Sequence, residues 1–176
     1  MSKTIELNAP FAKDDLAKLR SRDAVSITGV LYTMRDAGHV RCLEYLKEHG
    51  ELPFGLKGHA LFYAGPTPAT PTRPFGAIGP TTASRMDFAT PALMDSGIVA
   101  TIGKGKRADD VREACMRNGG VYFAAIGGVA ALLAECVKSS ETVAWDDLGT
   151  EALRRIEVEG FPAYVDIDVH GNRLYQ

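Results

Sequence analysis

Residues 24–50 read AVSITGVLYTMRDAGHVRCLEYLKEHG, and this stretch decides the fold class. Its first part, Ala24 to Thr33, is apolar and rich in β-branched residues, which suits a buried strand. From Arg35 the period changes. Val40, Leu43 and Leu46 recur at helical spacing up to His49, and Gly50 stands where a left-handed residue closes a helix. A buried strand followed at once by a helix of this kind opens an α/β unit.

The same alternation continues outward. Upstream, Thr4 to Asn8 alternates like a short strand, and Lys13 to Ser21 carries Leu16 and Leu19 as a helical stripe. Downstream, His59 to Ala64 reads as a strand ending in Gly65-Pro66. Residues Thr67 to Gly79, rich in Pro, Thr and Gly, read as an exposed connection. Then come a strand from Val99 to Ile102, a helix from Arg107 to Arg117, a strand from Val121 to Ile126, and a helix from Val129 to Val137 opened by Gly127-Gly128. Near the end, Ala163 to Val169 and Arg173 to Tyr175 flank His170-Gly171-Asn172, a hairpin turn. The pattern predicts an α/β fold, a mixed sheet flanked by helices, forming a single domain over residues 1–176.

Composition narrows the partners. The 176-residue chain is 45% apolar and 24% charged, an ordinary globular balance, and its net charge of -2 gives no general attraction to nucleic acid or to an anionic membrane. The apolar run from Ile126 to Ala134 is too short to span a bilayer, and Met1 to Pro10 lacks the basic-then-apolar order of a secretory signal. The expectation is a cytoplasmic protein with no membrane partner. The three cysteines, Cys42, Cys115 and Cys136, are odd in number and have no CxxC spacing, so buried reduced thiols are expected rather than a disulfide framework or a metal site.

Three segments carry groups that can bind anions. In Gly79-Pro80-Thr81-Thr82-Ala83-Ser84-Arg85-Met86-Asp87, Thr81 or Thr82 can cap a following helix, and Thr81 and Arg85 would share one of its faces. A capped helix with a surface arginine reads equally well there. In Thr33-Met34-Arg35-Asp36-Ala37-Gly38-His39, Arg35 lies just past a strand, where α/β sheets bind ligands, and Asp36 and His39 are spaced to pair on one helix face. A plain helix start and a half-buried histidine fit the same residues. In Gly103-Lys104-Gly105-Lys106, the glycines let backbone approach a ligand, although the spacing fails the phosphate-loop pattern and a flexible basic turn is the alternative. No dinucleotide fingerprint is present, so no nicotinamide cofactor is expected. Cations at three strand ends suit a ligand with two carboxylates, since Arg grips a carboxylate in a bidentate fork.

Six blocks, in order, resemble the C-terminal β-type domain of class I fumarate hydratases and the related tartrate dehydratases: TGVLYTMRDAGH (28–39), FYAGP (62–66), GPTTASRMD (79–87), GKGK (103–106), AAIGGVAALLAE (124–135) and IEVEGFPAYVDIDVHGN (156–172). The resemblance covers about residues 14–176. It implies a swivelling β/β/α fold and reversible addition of water to a C4 dicarboxylate double bond, here the hydration of fumarate to L-malate. It implies an α-type partner subunit that carries a [4Fe–4S] cluster, in an α2β2 assembly, with no metal held by this chain. Residue by residue it makes Arg35, Arg85 and Lys104 carboxylate binders and Thr81 the base toward the C3 proton of malate, with Asp36, His39 and Thr82 in support. Three positions depart from the family pattern: Ser84 where glycine is common, Lys106 in place of Asn, and Gly38 in place of Ala, which would loosen that helix start. Tartrate or mesaconate as substrate, and a non-catalytic anion-binding or assembly subunit, stand as alternatives.

Overall fold

The apolar stretch from Ala24 to Thr33 forms a ten-residue strand along its whole length. A computed structural model describes residues 3–126 and 128–175. In chain order the elements are β1 (Ile5–Ala9), α1 (Lys13–Lys18), β2 (Ala24–Thr33), α2 (Asp36–His49), β3 (Ala60–Phe62), a 3-10 turn (Ala83–Met86), α3 (Thr90–Asp95), β4 (Ala100–Gly103), α4 (Asp109–Asn118), β5 (Val121–Ala124), α5 (Ala130–Cys136), β6 (Val137–Ala144), a second 3-10 turn (Asp146–Glu151) and β7 (Leu153–Ile167).

Among the described residues the seven strands form one mixed sheet in the order β1-β2-β3-β4-β5-β7-β6, and β7 also pairs with β2. The second pairing closes β2, β3, β4, β5 and β7 into a ring. The steps from β2 to β5 are parallel, whereas β7 is antiparallel to both of its ring neighbours. The carboxyl ends of β2, β3 and β4 therefore share one rim, and the amino end of β7 joins them there, with Arg154 opposite Thr33.

Strand alternation sorts side chains to the two faces of this ring. Ile27, Leu31, Phe62, Ile102, Phe123 and Val165 belong to one buried cluster. The rings of Phe62 and Phe161 meet at 5.1 Å although β3 and β7 are not paired, so this cluster fills the interior. Tyr32, Leu61, Tyr63 and Tyr122 point the other way, into a second cluster with Cys42 of α2, Leu93 of α3 and Cys115 of α4. The mixed α/β architecture with flanking helices is the predicted one.

Several boundaries differ from the expectation, each for a physical reason. β6 was not anticipated because its sequence, VKSSETVA, is mostly polar and exposed, the habit of a sheet-edge strand without an apolar period. β7 starts ten residues before Ala163. Gly160 and Pro162 read locally as a break, but the sheet absorbs the irregularity, and the Gly160 N–H donates to Thr28 Oγ1 at 3.1 Å beside a register shift in β2. The hairpin after Val169 is reduced to one bridge between Ile167 and Arg173. Its turn is pinned by Asp168, whose carboxylate accepts the N–H groups of Ser21, His170 and Asn172. Cys42 and Cys115 are buried and Cys136 is half-buried. Gly127 of the expected Gly127-Gly128 helix start lies outside the described residues, and α5 begins at Ala130. No helix among the described residues is long and apolar enough to cross a membrane.

Candidate active site

The three cationic segments end at the same rim, stitched together by backbone hydrogen bonds. Met34 follows β2 and donates its N–H to Phe62 at 3.3 Å. Beyond β3, Ala64 bridges Pro80, and Thr81 N–H donates to Tyr63 O at 2.7 Å. On its other side Thr81 accepts the N–H of Lys104 at 3.2 Å, and Ala83 N–H donates to Lys104 O at 2.9 Å. Residues 80–83 thus lie between the ends of β3 and β4 like a short extra strand. Gly103 makes this possible. A Cβ there would stand 2.9 Å from both Ala83 Cβ and Tyr63 Cδ2, so the room beside the first glycine of GKGK is filled by this chain's own backbone and side chains rather than by a ligand.

This geometry corrects the expected helix start at Thr81. Thr82 occupies the cap position of a 3-10 turn only four residues long and makes no side-chain cap bond. Pairing with two strand ends satisfies the backbone of residues 80–83 better than one more isolated helical turn would. Thr81 and Arg85 are therefore not neighbours on a helix face, and a long helix dipole is not available at this point.

Arg35 and Arg85, fifty residues apart, meet at one carboxylate. Arg85 Nε donates to Asp36 Oδ1 at 3.0 Å and its Nη2 lies 2.9 Å from the same oxygen. Arg35 Nε stands 3.7 Å from Asp36 Oδ2, an ion pair too long for a hydrogen bond. Both of those atoms are buried without a hydrogen-bond partner among the described residues. The two guanidiniums and one carboxylate leave a net positive, partly solvated cluster with donors to spare. Gly65 admits it: a Cβ there would stand 2.8 Å from Arg35 Cδ.

The expected pairing of Asp36 with His39 does not occur. His39 is buried, and its Nδ1–H donates to Arg35 O at 2.8 Å, which leaves Nε2 as a bare acceptor with no partner among the described residues. Its ring packs edge-on against Tyr63 at 5.2 Å. Burial pushes the imidazole down to about 4, the Arg107 charge pushes the same way, and the Arg35 hydrogen bond and Asp36 charge oppose it. His39 is thus neutral at pH 7 and braces the Arg35 backbone. Between pH 6.5 and 4 the unfolded chain holds a proton on this residue that the folded chain refuses. Stability should fall as the pH drops through that window, by roughly 3 kcal/mol at most. Urea unfolding at pH 7, 6 and 5 measures the slope, and His39→Gln should flatten it.

Lys104, exposed at the end of β4, lines a cavity of about 580 Å³ together with Arg22, Ile126, Tyr164 and Tyr175. Arg35, Thr81 and Arg85 do not line that cavity. Lys104 is joined to Thr81 through its backbone, while the cavity it lines includes Arg22, which precedes β2. Thr81 is half-buried; Thr82 and Lys106 are exposed. The Gly38 helix start is intact, since α2 begins at Asp36 and the carboxylate of Glu151 accepts the Ala37 N–H at 3.0 Å. Glu151 escaped the sequence reading because nothing local links it to a helix more than a hundred residues upstream.

A family model described as "Fumarase C-terminus" matches residues 1–176. The chain belongs to the fumarase C-terminal family. It is 40% identical over 177 residues to "Fumarate hydratase class I, anaerobic" of Escherichia coli strain K12, covering 98% of this chain and 32% of that protein. It is 39% identical to "Fumarate hydratase 1, mitochondrial" of Leishmania major, with the same coverages. It is 38% identical over 172 residues to "Putative L(+)-tartrate dehydratase subunit beta" of Methanocaldococcus jannaschii, covering 94% of this chain and 88% of that one. The chain spans about a third of the length of the fumarate hydratases it matches.

Within this fumarase C-terminal fold, one further residue went unremarked in the sequence. Arg107 reads as the first residue of the helix expected from Arg107 to Arg117, yet it stands ahead of α4, its side chain fully buried and ion-paired to Asp87 at 2.6 Å. The three cysteines sit on three different helices, and burial pushes the Cys42 and Cys115 thiols up to about 12.

Proposed function

We propose that this chain is the β subunit of an iron–sulfur-dependent class I fumarate hydratase, working in the cytoplasm with an α-type subunit that holds a [4Fe–4S] cluster. The observation that supports it is the meeting of Arg35, Arg85 and Asp36 at the rim to which β3 and β4 also bring Thr81 and Lys104. In this reading Arg35 and Arg85 take one carboxylate of the C4 acid and Lys104 takes the other. Thr81 withdraws the C3 proton of malate and returns it in the hydration direction. An unaided threonine hydroxyl is too weak a base, and the surrounding cations lower the cost of its alkoxide.

A second reading is dehydration of tartrate. It is favoured by the relative of nearly matching length, which is named a tartrate dehydratase subunit beta. The two substrates differ by one hydroxyl, a group that shifts preference by only about 1–3 kcal/mol in many sites. Co-production with the α-type partner, followed by anaerobic assays on malate, tartrate and mesaconate, decides between them. Faster turnover of tartrate would replace the first reading with the second. Binding of dicarboxylate without turnover of any substrate would leave an anion-binding or assembly subunit.

A further inference from the structure

Arg107 bonds Asp87 at the far end of the segment that carries Thr81 and Arg85, and the phenol of Tyr63 beside its near end. Its Nε donates to Asp87 Oδ1 at 2.6 Å, two residues past Arg85, while Asp87 Oδ2 accepts the Ala108 N–H at 2.8 Å. Its Nη2 donates to Tyr63 OH at 3.1 Å and to Thr90 Oγ1 at 2.8 Å, and its Nη1 donates to Thr101 Oγ1 at 3.0 Å. Tyr63 is the residue whose carbonyl accepts the Thr81 N–H. The guanidinium lies between the rings of Tyr63 and Tyr122, 5.1 and 4.7 Å from their centroids. Tyr122 OH in turn donates to Gly105 O, next to Lys104.

A buried charge is costly unless it is paired and its donors are used, and here four acceptors and two aromatic faces meet one guanidinium. The side chain has no exposed surface, so it does not touch a substrate. We infer that Arg107 is a positioning residue that fixes where Thr81, Arg85 and Lys104 stand on the rim. Its kinetic consequence rests on the function proposed above; its structural consequence does not. Lysine would keep the charge, but one nitrogen does not reach Asp87, Thr101, Tyr63 and Thr90 together.

The test is Arg107→Lys, assembled with the α-type partner and read in two ways. Amide exchange at Thr81, Ala83 and Lys104 should accelerate at least about tenfold while β2 and β7 keep their protection. Turnover should fall about 10–100-fold and KM should rise with it, because Thr81 is the proposed reacting group while Arg85 and Lys104 are the proposed carboxylate binders. Unchanged exchange at those three amides, acceleration spread evenly over the sheet, or kcat within twofold of wild type would overturn the inference. If the wild-type complex turns over none of the three substrates, the functional reading has failed and exchange alone decides about Arg107. If Arg107→Lys does not fold, Thr101→Val removes one of its four acceptors. A local acceleration at the same amides then supports the inference, and its absence refutes it.

Discussion

Replacing Thr81 with alanine in the assembled enzyme is expected to lower kcat for malate dehydration by about 10³-fold, within the usual range for loss of a positioned base. The fold should not suffer. Thr81 is held through its backbone, by its N–H to Tyr63 and its carbonyl to Lys104, and alanine keeps both bonds. KM should stay close to wild type, because the cations proposed to hold the carboxylates are untouched. Thr81→Ser should restore most of the rate. A drop of less than tenfold in Thr81→Ala would show that another group takes the proton.

In the proposed site, loss of Arg85 should act on binding instead. Arg85→Ala is expected to lower kcat/KM by about 10²–10³-fold, mainly through KM. Charge-assisted bonds of this kind are worth about 1.5–3 kcal/mol each, and the change also leaves Asp36 facing the incoming carboxylate. The melting temperature should hardly move, because the Arg85 side chain is 49% exposed and such ion pairs contribute little to stability. Asp36→Asn introduced into Arg85→Ala should recover part of the KM loss by removing that repulsion. A double-mutant cycle measures the coupling, and strict additivity would mean that Asp36 has no part in the site.

The fold was legible where a segment's own chemistry dominates. β2 and α2 announce themselves through a β-branched run followed by a 3.6 period, and Gly50 closes α2 in the left-handed conformation its position suggested. Legibility failed where partners distant in the chain outweigh local preference. Thr81 lies in a helix-compatible run, yet two strand ends claim its backbone. β6 has no apolar period because its residues are mostly on the surface and β7 supplies its hydrogen bonds. Asp36 and His39 have the spacing of a pair, but a guanidinium from residue 85 outcompetes a neutral, buried imidazole for the carboxylate.

The sequence by itself determined the class of the fold, the family, and which cationic and hydroxyl side chains lie just past predicted strands. Those follow from periodicity, turn residues and short motifs, all of which act within a few positions of the chain. Only the tertiary structure decided that Arg35 and Arg85 share Asp36, that Gly103 makes room for residues 81–83, and that Arg107 lies buried at the centre of the segment. Most of these contacts join residues about 20 to 50 positions apart, brought to one rim by the parallel pairing of β2, β3 and β4. No local pattern encodes which buried charge will find which partner.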